Sequence, residues 1–233
     1  MTDLSEFPIS NRWSAQHPDR IQLYSFPTPN GVKISIMLEE IGLPYEAHRV
    51  DITKNETWTD SFLSLNPNGK IPAIIDPKGP DGKPLALFES GAILTYLAEK
   101  TGKLLPKDPA RRYETLQWVF FQMASVGPMF GQFGFFYKFA GREIDDKRPL
   151  NRYRDESRRL LGVLEQRLDG RRWIMGNDYS IADIAIFPWV RGLKVVYDAS
   201  ELLGLDSLKN VNAWLERALE RPASQKGLVV PPR

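Results

Sequence analysis

Apolar and polar positions follow one period in the first part of the chain and another in the rest. From Ile21 to Ser25 (IQLYS) they alternate, as in a short strand, and FPTPNG follows as a Pro/Gly turn. From Val32 to Glu40 (VKISIMLEE) apolar residues recur at helical spacing until Gly42 stops them. Tyr45 to Ile52 (YEAHRVDI) predicts a second strand, Trp58 to Leu65 a short helix, and Ile71 to Asp76 (IPAIID) a third strand. Leu85 to Phe88 is a fourth strand across the turn DPKGPDGKP, and Ser90 to Lys100 (SGAILTYLAEK) is a helix ended at Gly102. The order β-α-β-α-β-β-α describes an α/β layer of about 80 to 90 residues.

After the Pro-containing stretch 103–109 the alternation is gone. Amphipathic segments at 110–139, 150–169, 180–197 and 207–220 predict an all-α domain. The expected division is an N-terminal extension at 1–19, an α/β domain at 20–102, a linker at 103–109 and a helical domain at 110–233. The extension is polar and Pro-interrupted and has no period, so it is expected to lie on or hang off the fold. Ser180-Ile181-Ala182-Asp183 fits a capping box, a structural motif rather than a catalytic one.

Composition narrows the chemistry. The 31 basic and 29 acidic residues leave a net charge of +2, which gives no footprint for nucleic acid or a membrane surface. No apolar run reaches the length of a spanning helix. The first residues, MTDLSEFPISNRW, have no apolar core of a secretory signal, and a cytoplasmic location is expected. Cysteine is absent, which excludes a disulfide framework, a thiolate metal site and a catalytic cysteine. His17 and His48 are too few for a metal site, so no metal is expected. Any thiol chemistry must use the sulfur of a ligand.

Three features of the first domain combine. Thr28-Pro29-Asn30-Gly31 opens a helix, where side chains and unpaired amides can hold an anion. Ile71-Pro72 begins a strand whose preceding backbone groups can pair with an extended peptide. Glu89-Ser90 starts another helix, where Ser90 can grip a carboxylate and Glu89 an ammonium. Taken singly, each has a structural reading: Thr28 and Asn30 suit any turn into a helix, and Ser90 suits an N-cap. Together, in this order, they suit a peptide with an α-amino acid head.

The segments LYSFPTPNG, NPNGKIPAIID, LFESGAILTYLAEK and YSIADIAIFPW, with the helical second half, resemble the cytosolic glutathione transferases from about residue 20 onward. PTPNG, LFESGAILTYLAEKTG, LQWVFFQ, GPMFGQ and SIADIAIFPW are similar to the nu class of bacterial members, related to the yeast nitrogen regulator with a transferase-like domain. The resemblance implies a thioredoxin-like N-terminal domain, a helical C-terminal domain, a homodimer, and glutathione as co-substrate beside a cis Ile71–Pro72 bond. It implies that Thr28 and Asn30 approach the glutathione sulfur, that the Ile71 backbone pairs with the cysteinyl part, and that Glu89 and Ser90 hold the γ-glutamyl head. Arg152 matches a C-domain arginine that contacts glutathione, and Thr57 stands where the class often has Gln at the glycyl end. The Ser of serine-type transferases falls at Pro29, which disfavours an isomerase. Tyr24, mid-strand, reads as core.

The implied task is thiol activation: a thiol of pKa near 8.5 is only a few per cent thiolate at pH 7, and donors at Thr28 and Asn30 would lower that pKa. A hydrophobic second substrate is expected on the aromatic, glycine-broken stretch 129–141, at Phe130, Phe133, Phe136 and Tyr137. The expected activity is glutathione-dependent disulfide reduction through two bound glutathiones, with peroxidase activity and weak conjugation of aromatic electrophiles. The rival expectation is a regulatory protein that binds glutathione with little turnover.

Overall fold

The computed structural model describes residues 4–232, which divide into two units, 4–101 with 222–232 and 102–221. In the first unit, β1 (Ile21–Ser25), α1 (Gly31–Ile41) and β2 (Tyr45–Arg49) form a crossover, so β1 and β2 pair in parallel, with Tyr24 opposite His48. A 3-10 turn at Glu56–Trp58 leads into α2 (Asp60–Leu63), in place of the single helix expected from Trp58 to Leu65. Thr59 lies in extended conformation between them and accepts a hydrogen bond from the Phe62 amide, which starts the helix afresh. Next come β3 (Ala73–Asp76), β4 (Leu85–Phe88) and α3 (Ser90–Thr101). The sheet order is β2-β1-β3-β4, with β3 antiparallel to both neighbours. All five residues of β1 are buried, because the strand is central in the sheet.

The first unit gathers chain from both ends, contrary to the expected boundaries. Leu4 and Ile9 are buried with Tyr24, Val50, Phe62, Leu65, Ala73 and Ile75, so the extension supplies part of the core. Trp13 meets Tyr24 and Phe62 edge-on, and its indole nitrogen donates to the Arg49 carbonyl at 3.0 Å. At the other end of the chain, residues 222–227 pack on α1 rather than joining the helical domain expected to run to 233. There Ser35 donates to the Gly227 carbonyl at 2.6 Å. A β-carbon on Gly227 would stand 2.6 Å from the Ile36 backbone, so only glycine permits this approach.

The second unit contains α4 (Pro109–Phe121), α5 (Gly127–Tyr137), α6 (Arg148–Leu168), α7 (Ile181–Val195), α8 (Ser200–Leu203) and α9 (Lys209–Glu220). A π-helical turn, Gln122–Val126, joins α4 to α5 within what the sequence presents as one segment. Residues 222–227 of the first unit form α10. The capping box at Ser180 and Asp183 forms as expected. Asp183 does more than cap: its Oδ1 also accepts from the Ile174 amide and the Trp214 indole, both at 2.9 Å. The architecture is the expected one, a thioredoxin-like α/β unit and an all-helical unit.

Candidate functional site

The turn between β1 and α1 is shaped by backbone economy. The Thr28 amide donates to the Phe26 carbonyl at 2.7 Å, and the Gly31 amide donates to Thr28 Oγ1 at 3.2 Å. The same Phe26 carbonyl crowds Gly31, where an added β-carbon would lie 1.9 Å from the oxygen. Thr28 therefore has a structural role at the start of α1, satisfying one of its leading amides. Because Oγ1 accepts there through a lone pair, its hydroxyl hydrogen is still available for donation.

Asn30 precedes α1 without capping it through its side chain. Its Oδ1 instead accepts from Lys33 Nζ at 2.8 Å, and Lys33 Nζ also donates to Ser90 Oγ at 3.2 Å. Lys33 is fully buried. Burial holds its ammonium well below the usual lysine range, while the Glu89 carboxylate pulls the other way. Two of the expected site positions, one at the start of α1 and one at the start of α3, thus meet on a lysine that sequence reading placed only in the helical pattern. Its signal was a charge at the third position of an otherwise apolar α1 face.

Glu89 has φ +71, in the left-handed region, which costs a non-glycine residue on the order of 1 to 3 kcal/mol. Its carbonyl accepts from the Ile93 amide at 2.9 Å, and its side chain is exposed. Such an outlier at a helix start is a mark of a functional position. Ser90 is 5% exposed. The Ile71–Pro72 bond is cis. The loop before it is set by buried Asn66, which donates to the Lys70 carbonyl at 2.6 Å and accepts from the Asn68 amide at 3.0 Å. Asn66 is a second positioning side chain the sequence did not single out. Thr57 lies in the 3-10 turn and is also buried. Tyr24 is fully buried and stacked on His48, and burial together with the charge of Glu46 pushes its hydroxyl pKa up. Tyr24 belongs to the core.

In the second unit, the expected aromatic substrate surface is corrected at two positions. Phe130 and Phe133 are fully buried. The glycines between the aromatics are the reason: a β-carbon on Gly131 would touch the Trp189 ring at 3.4 Å, and one on Gly134 would stand 2.3 Å from Tyr197. The glycine side of α5 is thus a groove that seats Trp189 and Tyr197, not an opening. Phe136 stacks on Tyr153 and Tyr137 on Phe133, and both keep partial exposure. Arg152, on α6, has an exposed guanidinium 3.7 Å from Glu156. Among the described residues, no cluster of three or more His, Asp or Glu could hold a metal, and no helix is long and apolar enough to cross a membrane.

Residues 20–99 match the family model for the glutathione S-transferase N-terminal domain, and residues 149–217 match that for the C-terminal domain. The chain is 44% identical over 210 residues to the disulfide-bond oxidoreductase YfcG of Escherichia coli, covering 90% of this chain and 94% of that one. A glutathione transferase from Burkholderia graminis, solved with two glutathione molecules per subunit, is 65% identical with a TM-score of 0.98, covering 100% of this chain and 97% of that one. Another from Pseudomonas putida, solved with one glutathione disulfide per subunit, is 62% identical with a TM-score of 0.97, covering 98% and 99%. With its α/β unit and its helical unit each matched, the chain belongs to the glutathione S-transferase family.

Proposed function

We propose that this chain is a nu-type, glutathione-dependent disulfide-bond oxidoreductase. The observation that carries the reading is the turn Thr28–Asn30 at the start of α1, where Thr28 Oγ1 accepts from the Gly31 amide and Asn30 is tied through Lys33 to Ser90, in a chain without cysteine. The sulfur chemistry then belongs to the ligand. The glutathione and glutathione disulfide bound by the Burkholderia and Pseudomonas relatives support this.

In this reading the Thr28 hydroxyl and the Asn30 amide donate to the sulfur of a first glutathione. With the positive end of α1 they favour its thiolate. That thiolate attacks one sulfur of a substrate disulfide, forming a mixed disulfide and releasing one substrate thiolate. A second glutathione thiolate attacks the mixed disulfide, giving glutathione disulfide and the second substrate thiol. The protons lost by the two glutathiones go to the two released thiolates, so two glutathiones and one disulfide become one glutathione disulfide and two thiols. Glu89 and Ser90 hold the γ-glutamyl head and the Ile71 backbone the cysteinyl part. Thr57 stands at the glycyl end, and Arg152 supplies a guanidinium to a ligand carboxylate.

Peroxide reduction and weak conjugation of aromatic electrophiles use the same thiolate and are proposed as secondary activities. Phe136 and Tyr137 are the aromatic contacts that remain partly open to an apolar substrate. The functional form is proposed as a homodimer in the cytoplasm.

The test is reduction of 2-hydroxyethyl disulfide by glutathione. Thr28→Ala and Asn30→Ala should each lower the rate about 10- to 100-fold and raise the pKa of bound glutathione, with less than additive loss in the double variant because both act on one sulfur. Tight glutathione binding with no turnover in the unsubstituted protein would transfer the site to the regulatory reading.

A further inference from the structure

The second unit holds a cavity of about 330 Å³ between the end of α6, the loop that follows it and one face of α9, within the size range of small-molecule pockets. Arg171 and Arg172 come from the loop, and Asn210, Ala213 and Arg217 recur at helical spacing along α9. Buried Leu168, with Ala213, gives the wall an apolar part. The lining carries three guanidiniums and no carboxylate. None of its residues belongs to the candidate site described above.

Elsewhere in this unit arginines are matched by carboxylates. Arg111 lies 2.8 Å from Asp178, Arg148 2.7 Å from Asp146, and Arg159 2.7 Å from Glu156. Arg171, Arg172 and Arg217 have no such partner among the described residues. Half-buried Arg217 donates from Nη2 to the Arg172 carbonyl at 3.0 Å, which ties α9 to the loop, and its Nε is buried with no hydrogen-bond partner. The guanidiniums of Arg172 and Arg217 both face the Trp173 ring, 6.0 and 5.9 Å from its centroid. One ring face compensates two like charges only weakly. The Glu165 carboxylate is turned to the start of α9, where it accepts from the Asn210 and Val211 amides at 3.0 and 2.9 Å. Positive charge is thus gathered in a cavity where no described carboxylate within ion-pair distance balances it.

We propose that this cavity is a binding site for a small polyanion, a molecule with two or more phosphate or carboxylate groups. A guanidinium stays charged and presents planar pairs of N–H donors that match the oxygens of either group. Three of them in one cavity call for more than one negative charge, since a single carboxylate would leave two unbalanced. Arg217 is held in place by its bond to the loop, whereas exposed Arg171 and Arg172 are able to adjust to the ligand. Leu168 and Ala213 offer an apolar surface to its carbon stem. The site stands apart from the glutathione reading, because it draws on none of the residues that reading uses.

The test is calorimetric titration of the full-length protein with pyrophosphate and, separately, with citrate, at constant ionic strength so that screening is held fixed. Saturable binding of at least one is expected, pyrophosphate marking a phosphate ligand and citrate a carboxylate one. Arg171→Gln combined with Arg172→Gln should weaken it by about 10-fold or more, as expected when charge-assisted contacts are lost. Arg111→Gln combined with Arg148→Gln removes the same charge from the same unit and should leave the affinity within about 2-fold. In nuclear magnetic resonance spectra, the amides of Gly170 and Ala213 should shift on saturation. Because Arg171 and Arg172 are exposed, the fold does not depend on their side chains. Absence of binding by both probes would overturn the site. So would binding that the Arg171 and Arg172 pair weakens no more than the Arg111 and Arg148 pair, which would reduce it to general attraction between charges.

Discussion

A β-carbon on Gly31 would stand 1.9 Å from the carbonyl oxygen of Phe26, closer than any non-bonded pair can come. The obstacle is backbone, and the Thr28 amide holds that same carbonyl at 2.7 Å. Gly31→Ala must therefore move the turn that carries Thr28 and Asn30. The expected outcome is at least a 10-fold loss of glutathione affinity and a cost of about 1 to 3 kcal/mol in stability. Calorimetry and urea unfolding check both, and unchanged values would mean that the turn yields without loss.

Ile9 is fully buried although it belongs to a short 3-10 turn near the start of the chain. Ile9→Ala is expected to cost about 2 to 5 kcal/mol, the range for a large-to-small change in a core. Deleting residues 1–17 should cost more, since Leu4 leaves the same cluster and Trp13 leaves Tyr24 and Phe62. Chemical unfolding of both variants gives the answer. A truncated chain as stable as the full one would remove the extension from the core.

The stability contribution of His48 should disappear on acidification. Gln22 donates through its Nε2 to the carbonyls of His17 and Arg20, so its Oε1 faces His48 Nε2 at 2.7 Å and that nitrogen carries the hydrogen. Burial lowers the imidazole pKa below its ordinary 6.5, with Glu46 acting the other way. The unfolded chain then takes up the proton first. The contribution is complete above pH 6.5 and is lost as pH falls through the lower folded-state value. Urea midpoints of the unsubstituted protein and His48→Gln should converge as pH falls below 6.5. A gap that widens toward acid would contradict the assignment.

Asp183 accepts from the Ser180 and Ile174 amides and the Trp214 indole in a fully buried position. Asp183→Ala would strand all three donors, at about 1 to 3 kcal/mol each. We expect a loss above about 3 kcal/mol in unfolding free energy, concentrated in the second unit. Hydrogen exchange at Ile174 and Ser180 locates it. A loss near 1 kcal/mol would reduce Asp183 to an ordinary helix cap.

Elements with a sustained period were legible in the sequence: the four strands, the two long helices of the α/β unit and the amphipathic helices that follow. The extension was not, because Leu4 and Ile9 are isolated apolar residues in a polar segment and their burial depends on Phe62 and Ile75, more than 50 residues on. Thr28, Asn30, Glu89 and Ser90 could be named from turn chemistry and from the family resemblance. Lys33 could not, since a lysine within an apolar helical pattern reads as a side chain reaching for solvent. Phe130 and Phe133 were misplaced because aromatics separated by glycines look the same in sequence whether the gaps admit a ligand or the rings of Trp189 and Tyr197.

The contact of Ser35 and Ile36 with Gly227 sets an order of events during synthesis. The helix that carries Lys33 is made before the second unit, but the segment that packs on it is made after it. A nascent chain halted near residue 221 holds Thr28, Asn30 and Ser90 with one side of their supporting helix uncovered. The packing of α1 is therefore completed only once residues 222–227 have been made.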